Sequence, residues 1–112
     1  MVTPTAGSVV LVPFPFSDLS QSKRRPAVVL AGAERGDWIL CQVTSKSYAD
    51  GRAVELTDCD FQQGSLRSVS YARPAKLFTA HDSLFVSAVG VLTADSLERI
   101  TAEVVSVIQR KV

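Results

Sequence analysis

Arg25 to Thr44 reads RPAVVLAGAERGDWILCQVT. Two runs rich in Val, Ile and Leu flank Gly32 to Asp37, GAERGD, whose glycines and charged residues mark a turn. The pattern predicts a hairpin with strands over Ala27 to Ala31 and Trp38 to Thr44. Pairing Gly32 with Asp37 around the tight loop Ala33 to Gly36 sets the register. Pro26 then faces Val43, Val28 faces Cys41 and Leu30 faces Ile39, which makes one apolar core face. The other face pairs Arg25 with Thr44, Ala27 with Gln42, Val29 with Leu40 and Ala31 with Trp38. It grades from apolar at the turn to polar at the open end. A slip of one residue would scramble both faces. Directly opposite residues have Cβ atoms about 4.5–5.5 Å apart. This register therefore sets Arg25 and Thr44 side by side, with Gln42 one step inward. Arg25 also precedes a proline, which biases its backbone to extended geometry.

Outward from the hairpin, the chain reads as short strands closed by one helix. Ser8 to Val12 reads as a first strand, and Pro13 to Arg25 as a loop with two prolines ending in Lys23, Arg24 and Arg25. Ala53 to Leu56, Arg67 to Ala72 and Leu84 to Leu92 read as further strands, with Lys76 to Phe78 a continuation beyond Pro74. Thr79 to Ser83 reads as a loop. Thr93 has the character of a helix N-cap, with Asp95 and Glu98 in the first turn. Leu97, Ile100, Val104, Val107 and Ile108 recur at helical spacing and form the face that packs on the sheet. Arg110 and Lys111 lie at the far end, where cations suit the helix dipole. Five or six strands and a terminal helix imply a mainly β fold, a small curved sheet or partly open barrel. At 112 residues the chain is read as one domain, 1–112.

Composition narrows the function classes. Lys and Arg number 12 against 11 Asp and Glu, a net charge of +1. That excludes a polycation that binds by bulk charge, but not a local basic site. Leu19 to Ala33 and Phe61 to His81 carry cations and no acid, so the near-zero total hides two basic stretches. Cys41 and Cys59, 18 residues apart, with the lone His81 do not supply the four ligands of a closed zinc site. Nor do they make a disulfide framework; Cys41, in an apolar run, reads as a buried free thiol. The early apolar run Val9 to Phe16 is broken by Pro13 and Pro15 and follows no basic residue. It reads as neither signal peptide nor membrane span, so the expectation is a soluble cytoplasmic protein.

An Arg beside a hydroxyl, flanked by Lys23, Arg24, Ser45 and Lys46, suits an oxyanion such as phosphate. A guanidinium grips two oxygens and a hydroxyl donates to a third. On their own the same residues better suit a solvated strand entrance and exit, since surface Arg and Thr are common.

Five blocks together resemble the MazF/PemK toxin family: Gly7 to Val12, Lys23 to Leu30, Val43 to Lys46, Ser68 to Phe78, and the C-terminal helix. Their order and spacing cover nearly the whole chain. The resemblance implies an SH3-like small barrel of the MazF/PemK/CcdB type. It implies the toxin of a toxin–antitoxin module, a metal-independent endoribonuclease that cuts single-stranded mRNA at a short motif. It implies no cofactor, a cognate antitoxin as partner, usually a homodimer, and no membrane. The family's catalytic Arg of the Arg-Pro motif and the Thr after the next strand fall on Arg25 and Thr44, the pair that the hairpin register brings together. One departure is Gly7-Ser8, where the family often has Gly-Asp, a residue that bears on the neighbouring loop.

The implied reaction is attack of a ribose 2′-OH on the adjacent phosphate, giving a 2′,3′-cyclic phosphate and a 5′-OH. Arg25 would stabilise the charge on phosphorus and serve as acid, since an arginine is a poor base at neutral pH. Thr44 would hold a phosphate oxygen, with Ser45 a backup hydroxyl. Water or a neighbouring group is left as the base. His81 reads as a solvated loop residue rather than that base. Candidate RNA contacts are Lys23, Arg24, Gln42, Lys46, Arg73, Lys76 and Phe16, the last by base stacking. Two other classes stay open, a non-catalytic CcdB-like poison and an SH3-like binding module.

Overall fold

In the computed structural model the Val-rich runs are strands and the helically spaced tail is a helix; residues 4–15, 22–46 and 51–109 are described. The strands are β1 (Ser8–Pro15), β2 (Ser22–Gly32), β3 (Asp37–Thr44), β4 (Val54–Leu56), β5 (Phe61–Gly64), β6 (Ser70–His81) and β7 (Ser87–Leu92), followed by α1 (Ala94–Ile108). They form one curled seven-stranded sheet in the order β4-β6-β3-β2-β1-β7-β5. Every neighbouring pair is antiparallel. The fold is thus mainly β with a C-terminal helix, the class expected from the sequence.

The central hairpin keeps the predicted register over Ala27–Gln42, Val28–Cys41 and Val29–Leu40. Nearer the turn it shifts by one, so that Ala31 faces Ile39 and Gly32 faces Trp38. This corrects the expected Leu30–Ile39 and Ala31–Trp38 pairs. The physical reason is the turn itself. The Ala33 N–H donates to the Asp37 carbonyl at 2.8 Å, and Arg35 and Gly36 take φ of 58° and 83°. The loop thus closes on Ala33, not Gly32, and Leu30 becomes the extra residue of a β-bulge. Ile39 is left 38% exposed.

Both sheet faces are covered. Val9, Val28, Cys41, Val43, Val54, Leu56, Ala72 and Leu92 pack with Ile100 and Val104 of α1. On the other face Val10, Val12, Ala27, Val29 and Leu40 pack with Ala80 and Phe85, joined by Trp38 and Phe78. The apolar part of the second hairpin face is therefore covered within the chain. Burial on both sides explains why Val28-Val29 and Leu40-Cys41 are apolar in succession rather than alternating with polar residues. Each fully buried Val or Leu contributes about 1.5–3 kcal/mol.

The expected Pro13–Arg25 loop is, in its described part, a ribbon. Pro13 faces Arg24, Phe14 faces Lys23 and Pro15 faces Ser22. The β1–β7 ladder runs only as far as Leu11–Ser87. Beyond it β1 has no second strand partner among the described residues, and prolines two apart turn both missing N–H groups the same way. β6 runs through Pro74 to His81, replacing the expected break and the Thr79–His81 part of the expected Thr79–Ser83 loop. A 3-10 turn at Asp82–Leu84 starts β7 at Ser87 rather than Leu84. The extra strand β5, FQQG, carries no alternation by which to read it.

The helix starts as predicted. Thr93 Oγ1 accepts the Ser96 N–H at 3.2 Å. Ile100 and Val104 are buried, but Ile108 is 67% exposed and leaves the expected stripe. Arg110 and Lys111 lie outside the described residues. The helix is tied down through Asp60, whose carboxylate accepts from Ser96 Oγ at 2.7 Å, from the Thr57 N–H at 2.7 Å and from Arg99. Burial alone would raise the pKa of Asp60. The Thr57 backbone, Ser96, Arg99 and the Thr57 hydroxyl outweigh it and hold the carboxyl below its ordinary value. Cys41 is a buried free thiol and Cys59 an exposed one.

Candidate functional site

The β2–β3 ladder ends, on the side away from the turn, at the pair Ala27–Gln42. Arg25 lies two residues before Ala27 and Thr44 two beyond Gln42. Side chains alternate along a strand, so both project from the same face as that pair. Across its other neighbour Arg25 faces Val12, and Thr44 faces Tyr71, which in turn faces Glu55. Arg25 is half-buried with its Nε shielded from solvent. Thr44 Oγ1 accepts the Lys46 N–H at 3.2 Å. That bond uses a lone pair, and the hydroxyl proton remains a donor. It also turns the chain at the exposed Ser45 and Lys46.

A second group reaches this end of the sheet from β6. Cys41 faces Leu77 and Val43 faces Ala72, so Arg73 to Lys76 stand against Gln42 alone. Pro74 in this stretch is buried and has no N–H for a ladder. The bulge sets the half-buried Arg73 and the exposed Lys76 beside the Gln42–Thr44 segment. The exposed Arg24 precedes Arg25 on β2 and, by the same alternation, projects from the opposite face at this end of the strand. Lys23 is described in backbone only, opposite Phe14. Phe16 lies outside the described residues. Tyr71 and Glu55 share the pleat face of Thr44, and no local sequence signal marks them. Register across three strands, which no local motif carries, is what reveals them.

His81 is elsewhere. It faces Asp37 at the start of β3, whereas Thr44 closes that strand. Seven residues at about 3.3 Å each put the two ends ~23 Å apart. His81 ends β6 and caps the following turn. Its Nδ1 accepts the Ser83 N–H at 3.0 Å, and its ring lies against Gly36.

The family model for PemK-like, MazF-like toxins of type II toxin–antitoxin systems matches residues 5–108. The chain belongs to this family. Solved structures agree in fold. A Deinococcus radiodurans MazE–MazF crystal structure shares 23% identity at a TM-score of 0.78, over 97% of this chain and 98% of that one. MazF alone from the same organism gives 23% and 0.75, over 97% and 99%. A mycobacterial endoribonuclease in complex with its cognate antitoxin gives 12% and 0.73, over 97% and 96%. No curated protein matches the chain in sequence.

In this MazF-like toxin the Gly7-Ser8 departure has a local solution. Gly7 takes φ 95°, and its N–H donates to the Val29 carbonyl at 2.8 Å. Ser8 Oγ accepts the Thr5 N–H at 3.2 Å, so a side-chain oxygen still anchors the 5–8 turn. Among the described residues, two clefts are lined by neither Arg25 nor Thr44. One of about 450 Å³ is lined by Leu56, Phe61, Leu66 and Val69 among others, and one of about 430 Å³ by Val54, Glu55, Arg99 and Glu103 among others. Among the described residues no three of His, Cys, Asp or Glu cluster as metal ligands, and no helix is long and apolar enough to cross a membrane.

Proposed function

We propose that this MazF-like toxin is a metal-independent endoribonuclease that cuts single-stranded mRNA at a short motif. The observation that carries the reading is the Ala27–Gln42 pair, which sends Arg25 and Thr44 onto one face at one end of the sheet. Membership of a type II toxin family and likeness in fold to solved endoribonucleases support it.

In the proposed reaction the ribose 2′-oxygen forms a bond to the adjacent phosphorus while the bond to the 5′-oxygen breaks. The 2′-proton passes to water or a neighbouring side chain, and the 5′-oxygen takes up a proton. The products are a 2′,3′-cyclic phosphate and a 5′-OH. The Arg25 guanidinium, held by partial burial, stabilises the charge that builds on the phosphoryl oxygens, and we assign it the second role of proton donor to the leaving oxygen. Thr44 donates its hydroxyl proton to a phosphate oxygen, with Ser45 beside it. Arg24, Gln42, Lys46, Arg73 and Lys76 bind the flanking strand, and Lys23 and Phe16 complete the set of RNA contacts. The protein acts in the cytoplasm as a single-domain homodimer. A cognate antitoxin covers the same surface, in keeping with the MazE–MazF complexes of relatives.

The test exploits the 2′-hydroxyl. Single-stranded RNA is expected to be cut. The same sequence as DNA, or with a 2′-methoxy at the cut position, should stay intact. Cleavage of either would remove the mechanism, and no cleavage of any RNA would favour a non-catalytic poison.

A further inference from the structure

Cys41 is fully buried, and no step of the proposed reaction uses it. Its thiol donates to the carbonyl of Arg73 at 3.0 Å, 32 residues away in sequence. That carbonyl belongs to the segment where β6 leaves its ladder with β3. Between the pairs Cys41–Leu77 and Val43–Ala72, the residues Arg73, Pro74, Ala75 and Lys76 stand against Gln42 alone. A backbone carbonyl in such a bulge has lost the regular ladder arrangement, and the adjoining Pro74 brings no N–H of its own.

We infer that Cys41 is a positioning residue for RNA binding: its thiol pins the β6 bulge and so sets Arg73 and Lys76 against the Gln42–Thr44 segment. This rests on the endoribonuclease reading above. Three features support it. The S–H bond links the two sides of the register break at its first residue. The thiol is wholly enclosed, so the bond is formed away from competing water. The same stretch carries two of the cations proposed to hold the RNA strand. Cys41 touches no substrate; it acts through the Arg73 backbone.

The experiment compares the full-length protein with Cys41→Ser, Cys41→Val and Cys41→Ala. KM and kcat are measured on a fluorescent single-stranded RNA oligonucleotide, and amide hydrogen exchange over residues 72–77 is followed without RNA. Serine keeps a donor at the position, so it should retain the parental KM and slow exchange. Valine and alanine remove the donor. They should raise KM about fivefold with kcat little changed, and speed exchange in 72–77 more than in β1 and β2. Alanine stands in if the branched valine does not fit. Parental KM and exchange in both thiol-less variants would overturn the inference, as would a serine variant as impaired as they are, or a loss confined to kcat. If the parent neither binds nor cuts RNA, the functional reading fails and this role in RNA binding falls with it. The exchange data would then still report whether the thiol holds the bulge, which separates the two failures.

Discussion

Ala27 of β2 lies directly opposite Gln42 of β3, and the two strands run on from this pair to Arg25 and Thr44. The pair fixes which face the arginine and the hydroxyl share. The site therefore depends on a register set by apolar residues further along the same strands, Val28 against Cys41 and Val29 against Leu40.

Leu40 tests that dependence. It is fully buried in the cluster with Val10, Val12, Val29 and Phe85. Leu40→Ala should cost about 2–5 kcal/mol, lost transfer energy plus the cavity left behind. Denaturant unfolding should show a lower midpoint with an unchanged slope. A loss below about 1 kcal/mol would mean that this face is not a packed core.

His81→Ala separates the two ends of β3. With the histidine beside Asp37 and about 23 Å from the Thr44 end, RNA cleavage should stay within about twofold of the parent. A loss of a hundredfold or more would make His81 part of the chemistry.

Asp60 gives a pH dependence with a definite sign. Its carboxyl sits below its ordinary value in the folded protein, held there by Thr57, Ser96 and Arg99 despite burial. A depressed folded pKa contributes stability that is present above the unfolded value, about 4, and is lost as pH falls through the folded value. Asp60→Asn should therefore lower the melting temperature at pH 7, and the gap to the parent should close below about pH 4. A gap that is constant from pH 7 to pH 3 would contradict this.

Gly64 tests the strand that the sequence left unread. Its φ is +70°, and a Cβ there would meet the Val89 carbonyl oxygen at 2.2 Å. Gly64→Ala should destabilise by about 1–3 kcal/mol through strain and the forced parting of β5 from β7. Thermal unfolding reads this out, and a neutral substitution would remove the β5–β7 pairing as drawn.

Legibility followed the physics of each signal. The hairpin core was readable because both of its faces are constrained, so one register satisfies Val28, Val29, Leu40 and Cys41 together. The helix was readable from Thr93 and the spacing of Ile100 and Val104. The turn register was missed because a left-handed Arg35 beside Gly36 moved the closure by one residue. The β1–β2 ribbon was missed because Pro13 and Pro15 signal a loop, and only the missing β7 partner beyond Leu11 makes them tolerable. A proline argues against a strand, so the sequence pattern divides β6 at Pro74, and a bulge resolves the conflict. Within the candidate site, Arg25, Gln42 and Thr44 were legible from one hairpin. Tyr71 and Glu55 were not, since their place depends on pairings made across strands far apart in sequence.

The central claim is that Arg25 and Thr44 form a phosphoryl-transfer site that needs no metal. Its most direct test is cleavage of a defined single-stranded RNA by the purified protein in the presence of chelator, beside correctly folded Arg25→Ala and Thr44→Ala. The account predicts that the parent cuts at undiminished rate and leaves 2′,3′-cyclic phosphate ends. Arg25→Ala should lose activity by about a thousandfold and Thr44→Ala by about tenfold to a hundredfold. Cleavage by Arg25→Ala at the parental rate, or parental cleavage abolished by chelator, would contradict it.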